Sequence, residues 1–134
     1  LARAVESLGV PVWLGGGARG LLGRDCAHQF RHARGAALKE ADVVLVCGFP
    51  FDFRLKYGMG VSRKARVVSV NLSEEELTKN RTPELALQMS ASEFLVRLAS
   101  RVEAKQRWPE LRTLLLLSDQ PKAQHLRPAI DAGY

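Results

Sequence analysis

Two rhythms of apolar and polar positions run along this chain. Leu1, Ala4, Val5 and Leu8 recur at helical spacing and Gly9 follows, so the chain opens on an amphipathic helix closed by a glycine. Pro11 to Leu14 reads as a short strand running into glycines. From about Gln29 to Ala41 the helical rhythm returns, with Phe30, Ala33, Ala37, Leu38 and Ala41 on one face. Val43-Val44-Leu45-Val46 is apolar on both sides, as a strand buried between two helical layers must be, and Val67-Val68-Ser69-Val70 repeats that character. Ser73 with Glu76, and Ser90 with Glu93, are capping boxes. The first opens a short helix. The second opens an amphipathic one that turns Phe94, Leu95, Leu98 and Val102 inward. Leu85 to Leu87 is a further strand between them.

Strands alternating with helices predict an α/β fold, a parallel sheet with helices on both faces. After about Glu103 no period is sustained across Trp108-Pro109, Leu114 to Leu117, Pro121 and Pro128. Residues 1–103 therefore read as one domain, and 104–134 as a linker toward a following domain, with one helix expected near Glu110 to Leu117. A chain that opens inside an element reads as a piece of a longer parent.

Composition changes this picture little. The 134 residues are 46% hydrophobic and 25% charged, ordinary for a globular domain. The most apolar runs are far shorter than the ~20 residues of a membrane-spanning helix. The net charge of +6 raises nucleic acid as a partner, but the basic residues are spread over nearly every element, which argues against it. The nearest approach to a basic-aromatic patch is Arg31 and Arg34 beside Phe30, with Arg54 and Lys56 between Phe53 and Tyr57 as a second. Cys26 and Cys47 form no pairing or metal pattern, and a buried thiol in a reducing compartment is expected for Cys47. His28, His32 and His125 lack metal-ligand spacing, so no metal site is expected.

In an open parallel sheet, ligands bind beyond the carboxyl ends of the strands, here the segments starting at Gly15, Phe49 and Asn71. Gly15, Gly17 and Gly20 satisfy G-x-G-x-x-G, whose glycines let backbone amides approach a diphosphate. Yet Gly23 follows, no helix starts cleanly, and no acidic residue ends the next strand, so a loop needing several positive-φ residues explains the glycines equally well. Asp52 and Arg54, after a buried strand, suit a nucleotide's hydroxyls and phosphate, or a local ion pair. Glu74, Glu75 and Glu76 read as an acidic first helical turn.

Taken together, the run from Ala33 to Asp42, Val43 to Gly48, Phe51-Asp52-Phe53-Arg54-Leu55-Lys56-Tyr57-Gly58, Ala65 to Asn71 and Glu74 to Asn80 resemble the central domain of thiamine-diphosphate-dependent enzymes. Within them they are most similar to the acetolactate synthase and 2-hydroxyacyl-CoA lyase group, over about Leu1 to Arg101. The resemblance implies a Rossmann-like domain of a three-domain, homo-oligomeric lyase or acyloin-forming enzyme. Thiamine diphosphate and Mg²⁺ would be held by parent domains outside this chain, and this domain would bind FAD, ADP, part of coenzyme A, or nothing. It also implies an intracellular setting, cytoplasmic or tethered to the endoplasmic reticulum through a parent segment. Carried over residue by residue, Leu14, Gly15, Gly17, Gly48, Phe51, Asp52, Arg54 and Asn71 would face the cofactor, with no catalytic residue among them. A free-standing NAD- or FAD-binding module and an interaction-only product stay open as alternatives.

Three departures stand out. Met89-Ser90 replaces a frequent Gly-Asp near the adenine, and Gly48-Phe49-Pro50-Phe51 replaces a more usual Gly-Ala/Val-Arg-Phe. The family's first strand, which lies at the sheet centre between the strands ending at Leu14 and starting at Val43, has no counterpart at the start of this chain. The sheet is therefore expected to lack its centre, with both flanking strands left unpaired on one side and the chain only marginally stable.

Overall fold

The computed structural model describes residues 1–102 and 113–118, with the backbone alone at Gly17, Phe53 and Arg54. Helix α1 spans Ala2–Leu8 and ends on Gly9, whose left-handed backbone (φ 65°) lets its N–H cap Glu6. Strand β1 (Val12–Gly15) leads into a 3-10 turn at Gly16–Ala18. Then follow β2 (Gln29–Phe30), α2 (Arg34–Glu40), β3 (Val43–Cys47), a kinked 3-10 segment at Phe53–Gly58, and β4 (Arg66–Asn71). The chain continues through α3 (Glu74–Leu77), β5 (Leu85–Gln88), α4 (Ala91–Arg101) and β6 (Thr113–Ser118). The six strands among the described residues are all parallel, in the order β2-β1-β6-β3-β4-β5.

The centre of the sheet is occupied, from the far end of the sequence. β6 pairs with β1 from Val12↔Leu115 to Gly15↔Ser118, and with β3 from Val43↔Thr113 to Cys47↔Leu117. The expected unpaired sides of β1 and β3 are the two sides against which β6 lies. Residues 113–117, read from the sequence as the end of a linker helix, are strand, and Glu110 to Arg112 lie outside the described residues, as do Trp108, Pro109, Pro121, His125 and Pro128. A four-leucine run has no polar position to betray its period, so helix and strand look alike until a neighbour supplies the pairing.

The second correction falls on residues 29–33. Gln29 and Phe30 form a two-residue edge strand rather than a first helical turn, and Phe30 is 45% exposed. Trp13 accounts for this. Its ring stacks on Phe30 with centroids 5.4 Å apart, and its Nε1–H donates to the His32 carbonyl at 3.1 Å. The chain is held extended beside β1 until Ala33, in left-handed backbone, turns it into α2. Such a short edge strand offers little for another chain to pair with.

Alternation along the strands divides the core. Leu45, Cys47, Leu115 and Leu117 face one layer with Val5 and Leu8 of α1 and Leu95 of α4. Val44, Val46, Leu114 and Leu116 face the other with Leu38 of α2, Phe51 and Leu55. Both capping boxes form as the spacing predicts: Ser73 Oγ accepts the Glu76 N–H at 3.3 Å, and Ser90 Oγ accepts that of Glu93 at 3.0 Å.

Candidate functional site

Gly15, Gly48, Asn71 and Ser118 stand at or just beyond the carboxyl ends of β1, β3, β4 and β6, where a parallel sheet opens toward a ligand. Leu14 is half-buried on β1, and Gly17 lies in the 3-10 turn that follows. That turn is not the start of a helix, so the glycine motif lacks the helical N-terminus that a dinucleotide fingerprint points at its diphosphate. Gly16, Gly20 and Gly23 carry positive φ angles of 56°, 87° and 73°, as a loop turning tightly requires.

Gly15 is a point of close approach. A β-carbon there would fall inside the van der Waals radius of Phe49 Cζ and 3.2 Å from Phe49 Cε1. Phe49 is only 4% exposed and packs with Trp13 and Val46. Gly16 is hemmed in as well, since a β-carbon there would lie 3.0 Å from Ser118 Oγ.

Gly48 donates its N–H to the Val70 carbonyl at 2.8 Å, extending the β3–β4 pairing by one residue. Asn71 is buried, its Oδ1 accepting the Ser73 N–H and its Nδ2 donating to Glu76 Oε2, both at 2.9 Å. The amide therefore shapes the turn into α3 and engages one of the three glutamates of the acidic turn. The Asp52 carbonyl accepts the N–H groups of Leu55 and Tyr57, winding the 3-10 segment that carries Arg54.

Asn80 and Arg81, neither of them among the candidate site residues, hold this segment in place. Asn80 Nδ2 donates to the Phe51 carbonyl at 2.7 Å. Arg81 donates to the carbonyls of Val61 at 3.1 Å, Ser62 at 3.0 Å and Ala65 at 3.4 Å. Nothing in the spacing of an exposed-looking Asn-Arg pair announces such partners, which lie 16 to 29 residues away.

The basic-aromatic patch gains a shape. Arg19, Arg31 and Arg34 line a cleft of about 700 Å³ with Trp13, Phe30 and Gln29, at the ends of β1 and β2. Gln29 Oε1 is buried there without a hydrogen-bond partner among the described residues. The site combines guanidinium groups, an aromatic pair and an available acceptor, the chemistry that holds an anion bearing a flat ring.

A model of the thiamine pyrophosphate enzyme central domain matches residues 1–98. The chain belongs to that family. Relatives carry the likeness further along. It is 39% identical over 131 residues, 95% of this chain, to 2-hydroxyacyl-CoA lyase 2 of Homo sapiens, and 43% identical over 108 residues, 78% of the chain, to that of Caenorhabditis elegans. A probable acetolactate synthase of Mycobacterium bovis is 48% identical over 58 residues, 43% of this chain and 11% of its own length. The chain spans 21% of the human relative and 17% of the nematode one, so it corresponds to the central-domain portion of such enzymes.

Among the described residues no three His, Cys, Asp or Glu side chains converge to hold a metal ion. No described helix is long and apolar enough to cross a membrane. A nucleotide fits unevenly: the arginine-lined cleft suits one, whereas the turn at Gly15 is covered by Phe49.

Cys47 is fully buried, and desolvation pushes its thiol far above the usual range. Cys26 is half-buried. Because the thiolate is the reactive form, iodoacetamide is expected to label Cys26 in the native chain and to reach Cys47 only after unfolding. Mass spectrometry of peptides from native and urea-treated samples checks this, and equal native labelling would contradict the burial of Cys47.

Proposed function

We propose that this chain serves as the central domain of a thiamine-diphosphate- and magnesium-dependent enzyme that cleaves or forms carbon–carbon bonds in 2-hydroxyacyl-CoA or 2-oxo acid substrates. Its role there is structural, together with cradling the nucleotide portion of FAD, ADP or coenzyme A. One observation supports the second part: the cleft at the ends of β1 and β2 lined by Arg19, Arg31 and Arg34. Guanidinium forks suit phosphate oxygens, and the Trp13–Phe30 pair offers a surface for a base. Leu14 lines this cleft and Gly17 follows it, while Gly48, Asp52, Arg54 and Asn71 belong to the neighbouring stretch of the same carboxyl edge.

The sequence contains no Gly-Asp-Gly motif of the kind that holds the metal and diphosphate in the family. The purified 134-residue chain, given thiamine diphosphate, Mg²⁺ and either substrate class, is therefore expected to show no turnover above the protein-free rate. A parent carrying this domain between its two companions, assembled as a homo-oligomer, is expected to turn over. Acyloin formation or C–C cleavage by the chain alone would overturn the reading.

A further inference from the structure

We propose that Phe49 closes the glycine turn after β1 against a diphosphate, so that this domain takes its nucleotide only in the arginine-lined cleft. The inference rests on reading the carboxyl edge of the sheet as the nucleotide side.

The geometry is unusual because the two residues belong to strands that are not neighbours. Phe49 follows β3 and Gly15 ends β1, with β6 between them, so the backbone after Cys47 and the ring together cross two strand spacings, about 10 Å. Its tip stops against Gly15, where only a glycine leaves room. It does so on the face of the sheet that carries Trp13, Val46 and Leu116, and the ring is buried among them. Gly16, the next residue of the turn, is approached by Ser118 Oγ from the end of β6.

A glycine turn receives a diphosphate because the missing β-carbons let phosphate oxygens reach backbone amides. Here the space over Gly15 is taken by a ring of this same chain. The glycine is required by the phenylalanine, and the phenylalanine denies the turn to a ligand. The cleft beside it remains lined by Arg19, Arg31 and Arg34 and needs no approach to Gly15. FAD or NAD, whose diphosphate lies between two ring-bearing halves, would have to follow the closed turn. A ligand with a single terminal nucleotide would not.

Two measurements on the 134-residue chain test this. The first needs no nucleotide. Gly15→Ala is expected to lower the folding equilibrium constant by about tenfold or more, as overpacking does. The same change in a Phe49→Val background is expected to be nearly neutral. Urea melts of the four proteins read the coupling. Equal losses in both backgrounds would overturn the seating of the ring over Gly15, and so the proposal.

The second measurement is titration with FAD, using urea melts to confirm that each variant folds. Phe49→Val is expected to bind FAD about tenfold or more tightly than the unaltered chain, the worth of one hydrogen bond to a charged group. Adding Gly15→Ala should abolish that gain. Phe49→Leu, a smaller change to the core, should give an intermediate gain and serves if the valine variant unfolds. FAD binding to the unaltered chain as tight as to Phe49→Val overturns the proposal, as does an absence of gain in both variants. ADP titration of Arg31→Ala reports on the cleft alone, so failure of the cleft is told apart from failure of the closed turn.

Discussion

Removal of residues 113–134 is expected to abolish cooperative unfolding and to leave a chain that associates. All six residues of β6 are buried, and the strand is paired along both sides. Leu114, Leu115, Leu116 and Leu117 are each at most 3% exposed. Burying one such side chain is worth about 1.5–3 kcal/mol, so the four together amount to ~6–12 kcal/mol before entropy is counted. That is the size of a whole domain's net stability, about 5–15 kcal/mol. The loss also leaves one side of β1 and of β3 as apolar edges that invite pairing with other chains. Urea melts followed by circular dichroism, with light scattering, are the measurement. A truncated chain that stays monomeric and unfolds at the midpoint of the full chain would remove β6 from the sheet. Leu115→Ala, a milder change at a fully buried position, is expected to cost about 2–5 kcal/mol.

Arg81→Ala is expected to have the next largest effect. The guanidinium donates to three carbonyls within residues 61–65, all on the segment that connects the 3-10 turns to β4. Its β-carbon also lies 3.0 Å from where a side chain at Gly58 would begin, so the strand-to-strand connection is folded closely around it. Hydrogen bonds from a charged donor contribute about 1.5–3 kcal/mol, and removing the fork leaves carbonyls without their donor. We expect a loss of about 2–3 kcal/mol, seen as a lower urea midpoint at unchanged slope. Arg81→Lys should recover less than half of it, since one ammonium cannot reproduce a planar fork aimed at several acceptors. A loss below about 0.5 kcal/mol would place Arg81 among ordinary surface substitutions.

The strands at Val43–Cys47 and Arg66–Asn71 and the helix at Ala91–Arg101 were legible because each carries its own local signal: a run apolar on both faces, or a capping serine ahead of a periodic stripe. β6 was not, since Leu114 to Leu117 satisfies either period and only β1 and β3 decide between them. Gln29 and Phe30 were misassigned for a related reason, as the stacking partner that extends them lies 17 residues earlier, at Trp13. Within the candidate site, the glycines after β1 were visible in the sequence. The reason for Gly15 was not, because it depends on a ring from across the sheet. The cleft was half-visible: Arg31 and Arg34 beside Phe30 suggested a patch, and the fold added Arg19 and Trp13 to it.

The placement of β6 also sets a schedule for the chain as it is made. β3 ends at Cys47 and the strand that separates it from β1 begins only at Thr113. At ~5–20 residues per second, translation needs about 3–13 s to cover that interval, during which the nascent chain holds two strands whose common neighbour does not yet exist. Contacts so distant in sequence also close slowly once the residues are available. The growing polypeptide therefore passes through a stage in which β1 and β3 each lack the strand that comes to lie between them, and any pause in synthesis between Cys47 and Thr113 lengthens that stage.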